Sequence, residues 1–145
     1  MNLFDPISAI MTPNPICIGI NDPLAIADKL FKENRIHHLP VIAEGKLVGM
    51  ISKSDFSFFR RGFSADHIDK VGDEVRLNNY TSKDIMTVGL AKLDPDDKIN
   101  VALEVFKENL FHALPVVKDG RIVGIVTTLD IIKNLAKDEG ATSSY

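Results

Sequence analysis

With 145 residues and 45% apolar content, the chain has material for one compact domain or for two small halves sharing a core. A net charge of -3 argues against a general nucleic-acid binder, and no apolar run is long enough to span a membrane. The single cysteine, Cys17, excludes an internal disulfide and fits a reducing, cytoplasmic compartment, and the opening MNLFDPISAI lacks the basic-then-apolar pattern of a signal peptide.

The predicted elements occur in one order and then occur again. A helical turn is expected over Pro6 to Met11, followed by a short extended piece at Ile16 to Ile18. Asp22 is a natural N-cap with Pro23 at the first helical position, and Leu24, Ala27, Leu30 and Phe31 then share one face at helical spacing. Two apolar strands, Leu39 to Ala43 and Lys46 to Ser52, turn through Glu44-Gly45 into a helix from about Ser54. Polar residues 61–81 read as a linker with room for a short helix of its own. The order then restarts: a turn at Ser82 to Met86, an extended piece at Ala91 to Leu93, and a helix with Ile99, Ala102, Leu103 and Phe106 inward. Its cap is either Asp94 or Asp97. Strands Leu114 to Lys118 and Arg121 to Thr127 turn through Asp119-Gly120, a favoured hairpin turn, into a last helix from about Leu129.

Displacing the sequence by 75 positions makes the repeat explicit. Between residues 10 and 55 it gives 17 identities without a gap, among them Ile10-Met11-Thr12 on Ile85-Met86-Thr87, Leu39-Pro40-Val41 on Leu114-Pro115-Val116, and Gly49 and Asp55 on Gly124 and Asp130. The organisation expected is a first repeat over 1–60, a linker over 61–81, a second repeat over 82–138 and a tail over 139–145. The class is α/β, with two pseudo-twofold-related halves packed on each other.

Both repeats spell Gly-x-x-Ser/Thr-x-x-Asp at the last strand-to-helix junction. A hydroxyl followed three residues later by an acid is a capping-box pattern. The same geometry also suits a nucleoside phosphate. The hydroxyl sits beside free N–H groups at a helix start, where phosphate binds, and the Asp can accept two hydrogen bonds from a ribose diol. The glycine three residues earlier lets another group come close to the strand. Spacing alone leaves both readings open.

Ile-Met-Thr opening each copy, His-x-Leu-Pro-Val, the Gly turn and Gly-x-x-Ser/Thr-x-x-Asp together resemble the cystathionine-beta-synthase (CBS) domain, and two copies resemble a CBS pair, or Bateman module, over about residues 5 to 137. The resemblance implies clefts for AMP, ADP, ATP or S-adenosylmethionine as regulatory ligands, with no obligatory cofactor. By motif position Asp55 and Asp130 would hold ribose hydroxyls and Ser52 and Thr127 would meet phosphate. The base edge would lie along Thr12, Asn14, Pro15 and Ile16, and along Thr87, Gly89 and Ala91. His37, His38 and Pro40, with His112 and Pro115, complete the strand side of the two clefts. The resemblance also implies a homodimer. One departure is that the second copy lacks, after Met86, the prolines that the first has at Pro13 and Pro15.

The copies differ in charge. Arg35, His38 and Lys53 stand opposite Leu110, Ala113 and Thr128. Either Arg35 and Lys53 are ordinary solvated surface, or the two clefts tolerate phosphate charge differently. No carboxylate or cysteine stands at a metal-binding spacing near the histidines, and nothing supplies Cys17 with an oxyanion site, so neither zinc nor nucleophilic chemistry is read here. Phe56, Phe58, Phe59 and Phe63 cannot all face one core across a helix, and a partner subunit is the natural cover for some. The reading is a non-enzymatic nucleotide-sensing module acting on a separate, unidentified effector protein. A ligand-free dimerisation scaffold with degenerate clefts is the alternative.

Overall fold

The computed structural model describes residues 1–62, 70–108 and 111–142. In chain order it has a 3-10 turn at Ile7–Ala9, β1 (Thr12–Pro13), β2 (Ile18–Gly19), α1 (Leu24–Glu33), β3 (His38–Ala43), β4 (Lys46–Ser52) and α2 (Lys53–Gly62). Then come α3 (Lys70–Asn79), α4 (Ser82–Ile85), α5 (Ile99–Glu108), β5 (Ala113–Lys118), β6 (Arg121–Thr127) and α6 (Thr128–Thr142). The result is a mixed α/β fold with two three-stranded sheets, β2-β3-β4 and β1-β6-β5. No helix among the described residues is long and apolar enough to cross a membrane.

Two compact units result, one over Ile16–Leu90 and the other combining Met1–Pro15 with the chain from Ala91 on. The opening segment of each sequence copy therefore belongs with the hairpin of the other copy. In the Ile16–Leu90 unit, Thr87 donates to Met50 O at 2.9 Å and accepts from Met50 N–H at 3.0 Å, extending the β2-β3-β4 sheet. Thr12 and Pro13 make the corresponding antiparallel pairing with Ile125 and Gly124 in the other unit.

The motif glycines make this exchange possible. A Cβ on Gly49 would lie 2.6 Å from Met86 Sδ, and one on Gly124 would lie 2.4 Å from Met11 Sδ. The group admitted to each strand is thus the methionine of the Ile-Met-Thr segment. This explains why the two motifs are repeated together, since each is half of one packing contact.

The helices form where the apolar period places them, although α1 is not capped as its sequence suggests. Asp22 does not cap α1: the N-cap is Pro23, with no side-chain cap hydrogen bond. Asp22 instead accepts from Gly19 N–H at 2.8 Å, and the Leu24 N–H at the helix start is satisfied by Tyr80 O at 2.8 Å. Asp97 accepts from Asp94 N–H at 2.8 Å in the same way, and Ile99 N–H donates to Asp5 O at 3.0 Å. In both copies the exchanged segment supplies the partner that a capping side chain would otherwise provide.

One core gathers Ile18, Leu24, Ala27, Phe31, Leu39, Val41, Ile51, Phe56 and Leu77. The other gathers Ile7, Leu93, Ile99, Ala102, Leu114, Val116, Val126 and Ile131. Leu77 comes from α3, so part of the segment between the repeats contributes to a core, while residues 63–69 of it lie outside the described residues. Phe56 is buried, Phe59 packs edge-on against Tyr80 at 5.2 Å, and Phe58 is 73% exposed. Phe63, Leu110 and the end of the tail at 143–145 lie outside the described residues.

Candidate functional site

In the Ile16–Leu90 unit, β4 runs into α2 without a loop, which puts Ser52 at the last strand position and Asp55 in the first helical turn. Ser52 Oγ accepts from Asp55 N–H at 3.0 Å, so the hydroxyl is a cap. The Asp55 carboxylate is exposed and has no hydrogen-bond partner among the described residues. Lys53 N–H donates to His37 O at 2.8 Å, which fixes His37 beside the helix start. Thr87 lies on the neighbouring edge through its pairing with Met50.

The other unit repeats the backbone and alters the side chains. Thr127 Oγ1 accepts from Asp130 N–H at 3.0 Å, and Asp130 Oδ2 accepts from Thr127 N–H at 2.9 Å, a complete reciprocal box. Thr128 N–H donates to His112 O at 3.0 Å, the counterpart of Lys53 with His37. Asn14 and Gly89, 75 positions apart, both adopt left-handed backbone, with φ 48° and 68°. The bend after each Ile-Met-Thr thus survives the loss of prolines in the second copy, because glycine takes that conformation without strain. Asn14 N–H continues the pairing to Val123 O at 3.1 Å, whereas at Thr87 only the single bridge to Met50 forms.

An open hollow of about 700 Å³ lies against α2, lined by His37, Lys53, Ser54, Ser57, Arg60 and Arg61. Arg60 is held in place: Nη1 donates to Asp28 Oδ1 at 3.0 Å, and Nε and Nη2 both donate to Asp73. The hydrogen bond to Asp73 raises the guanidinium pKa, burial opposes that, and the charge of Asp28 adds to it. Lys32 also reaches Asp28, at 2.9 Å, so these two cations and two carboxylates balance. Lys53 and Arg61 have no carboxylate partner among the described residues.

Of the sequence candidates, the structure brings His37, Ser52, Lys53 and Asp55 together at one helix start, and His112, Thr127, Thr128 and Asp130 together at the other. Thr87 and Gly89 fall in the unit of Asp55, and Thr12, Asn14 and Pro15 in that of Asp130. Ile16 opens the Asp55 unit and Ala91 the later part of the other. Pro40 and Pro115 are fully buried, His38 is half-buried, and Arg35 is exposed and outside the lining of the hollow. Cys17 is half-buried, and burial pushes its thiol pKa up. Among the described residues no three His, Cys, Asp or Glu side chains cluster to hold a metal. The sequence comparison passed over Ser54 and, ending at residue 55, did not reach Ser57, Arg60 and Arg61; continuing the 75-residue offset down the last helices exposes the last three.

The family model for the CBS domain matches residues 7–61 and again 83–137. The uncharacterised protein MJ1404 of Methanocaldococcus jannaschii is 34% identical over 140 residues, 90% of this chain, and the chain spans 32% of its length. The chain likewise spans 37% and 36% of two further proteins of that organism, MJ1225 and MJ1232. The solved CBS domain pair of protein MJ0100, in complex with 5-methylthioadenosine and S-adenosyl-L-methionine, is similar with a TM-score of 0.74 and 26% identity. That match covers 93% of this chain and 98% of the other.

Proposed function

The chain belongs to the CBS-domain family, with two CBS domains in tandem, and on that premise we propose that it is a regulatory module that binds an adenosine ligand and does no chemistry of its own. AMP, ADP, ATP or S-adenosylmethionine is the ligand class in this reading. The likeness to the MJ0100 pair carries it, since that pair was solved with two adenosine-containing molecules and matches along nearly all of both chains.

The local chemistry supports it. A carboxylate accepts from both hydroxyls of a ribose diol, and Asp55 offers one that is exposed and unpartnered among the described residues. Ser52 and the start of α2 face the phosphate, and Thr87 to Leu90 run along the base. Asp130 would hold a diol with fewer acceptor sites, because its Oδ2 already accepts from the Thr127 N–H. The Asp55 site is therefore the stronger of the two. The ligand's effect reaches a separate effector protein through a change in packing.

Calorimetry with a ribonucleotide and its 2′-deoxy analogue tests the reading. The deoxy form leaves a carboxylate oxygen without its donor and should bind about ten- to a hundredfold more weakly. Equal affinities would return Asp55 to a plain helix-start role. No binding of any adenosine ligand would favour the scaffold alternative. A homodimer is part of the reading, supported by the 73% exposure of Phe58, and light scattering should give twice the 16.0 kDa chain mass.

A further inference from the structure

The copies agree at Asp55 and Asp130 and then diverge along the helix. Where α2 carries Lys53, Ser57, Arg60 and Arg61, α6 carries Thr128, Ile132, Leu135 and Ala136. The four α2 residues line the hollow with His37 and Ser54, and Asp55 is outside that lining. At about 100° per residue, Lys53, Ser57 and Arg61 share one side of α2 and Asp55 lies on the opposite side. The hollow is therefore a surface apart from the Asp55 carboxylate.

We propose that the hollow is a docking face for an acidic segment of a partner protein, an extended chain whose carboxylates meet Lys53, Arg60 and Arg61. That this partner is the effector rests on the function proposed above; the docking face does not.

A row of cations on a helix is ordinarily a solvated face. Three observations set this one apart. The residues line a concave hollow of about 700 Å³. Lys53 and Arg61 have no carboxylate partner among the described residues, so their charge is not already spent within the protein. Arg60 is immobilised by Asp28 and Asp73, which take three of its N–H groups and leave two of the five in its planar fork.

The spacing suits a chain better than a small anion. Lys53 and Arg61 stand about 12 Å apart along the helix, too far to converge on one anionic group. Four residues of extended chain span about 13 Å, and its alternate side chains point the same way. Acids at the two ends of that span reach Lys53 and Arg61, and one midway reaches the spare donors of Arg60. The chain as a whole carries a net charge of -3, so an acidic partner is repelled by most of the surface and drawn to this face.

The test is fluorescence anisotropy on the full chain at low ionic strength. The probe is a labelled peptide of alternating glutamate and threonine, with the glutamine–threonine peptide as control. The acidic peptide should bind wild type and the control should not. Lys53→Gln and Arg61→Gln should each weaken binding about threefold, K53Q/R61Q about tenfold, and Arg61→Glu at least as much as the pair. T128K/A136R puts the same two cations on α6, where Leu135 stands in place of the fixed arginine, and should create no second site. Loss of the wild-type site in none of the variants, no binding of the acidic peptide, equal binding of both peptides, or an equal second site in T128K/A136R would overturn the face. Tighter binding of tripolyphosphate or polyuridylate through Lys53 and Arg61 would overturn it in favour of a small anion or RNA. A fall from dimer to monomer mass in Arg61→Glu would overturn it in favour of a second copy as the cover. Failure of the adenosine reading looks different: the acidic peptide binds as expected, and 5-methylthioadenosine does not bind.

Discussion

One unit seats Met86 on Gly49 and the other seats Met11 on Gly124. They share the left-handed pair Asn14 and Gly89, the hairpin turns at Glu44-Gly45 and Asp119-Gly120, and the Asp22 and Asp97 turn closures. They part where side chains face outward or where a polar group replaces an apolar one: the Asp55 carboxylate has no hydrogen-bond partner among the described residues and Asp130 is boxed, α2 is cationic and α6 apolar, and Ser82 stands where the other copy has Ile7. The difference teaches which residues a duplicated fold holds fixed. Positions that set backbone geometry or admit the exchanged segment stay alike, and positions that do neither have specialised.

The shared contact can be broken unequally, and that is the largest expected effect. At Gly49 the three atoms nearest an added Cβ all belong to the Met86 side chain, at 2.6, 2.9 and 3.1 Å. At Gly124 it meets Met11 at 2.4 and 3.0 Å and also the Thr12 backbone oxygen at 3.1 Å. A thioether can swing aside, but a paired strand carbonyl cannot do so without losing register. Gly124→Ala should therefore cost about 2–3 kcal/mol and Gly49→Ala about 1–2 kcal/mol, within the range of overpacked cores. Urea denaturation of the two variants measures both. Equal costs would mean that the methionine alone sets the penalty.

Much of this comparison was legible in the sequence. The hairpins, the helices and the repeat follow from period and turn chemistry, since the 75-residue offset aligns them without a gap. The exchange of opening segments was not legible, because Ile-Met-Thr reads the same whichever hairpin it joins. The cap at Asp22 was misread for the same reason: Tyr80, which satisfies the Leu24 N–H, is distant in the chain. At the site, Ser52 and Asp55 could be located but not assigned between capping and ligand binding, because both uses require the same spacing. The hollow was missed because Arg60 and Arg61 look like surface until α1 and α3 bring Asp28 and Asp73 to one of them.

The two acids sharpen the contrast at smaller cost. Asp130 closes a reciprocal box, and losing it leaves the Thr127 N–H without its partner at 2.9 Å. Asp130→Ala should destabilise by about 1 kcal/mol, as cap removal does. Among the described residues the Asp55 carboxylate has no hydrogen-bond partner; it lies in the first turn, at the positive end of α2, and Asp55→Ala should cost about 0.3–0.5 kcal/mol. Ligand affinity should rank the other way, with Asp55→Ala the more damaging. If the two variants lost the same stability in urea, Asp55 would be acting as a cap after all.

An effect of the opposite sign concerns the exchanged segments themselves. Ser82 is fully buried, and its hydroxyl has no hydrogen-bond partner among the described residues. Its counterpart 75 positions earlier, Ile7, is also fully buried and belongs to the other core. A buried hydroxyl without a partner has lost its water and gained nothing in exchange, a penalty of about 1–3 kcal/mol. Ser82→Ala removes the oxygen and leaves a void smaller than a methyl group, so part of that penalty returns as stability. Alanine is also the better helix former at the start of α4. The backbone bonds are untouched, since Ser82 N–H still donates to Asp22 O at 3.0 Å. The expected gain is about 0.5–1 kcal/mol, read as a higher urea midpoint at unchanged slope. Ile7→Val, a truncation at the matched position in the other copy, should instead lose about 0.5–1.5 kcal/mol, because there the burial is apolar. A loss of stability in Ser82→Ala would mean that the hydroxyl has a partner in solution, and the two opening segments would then differ less than their burial suggests.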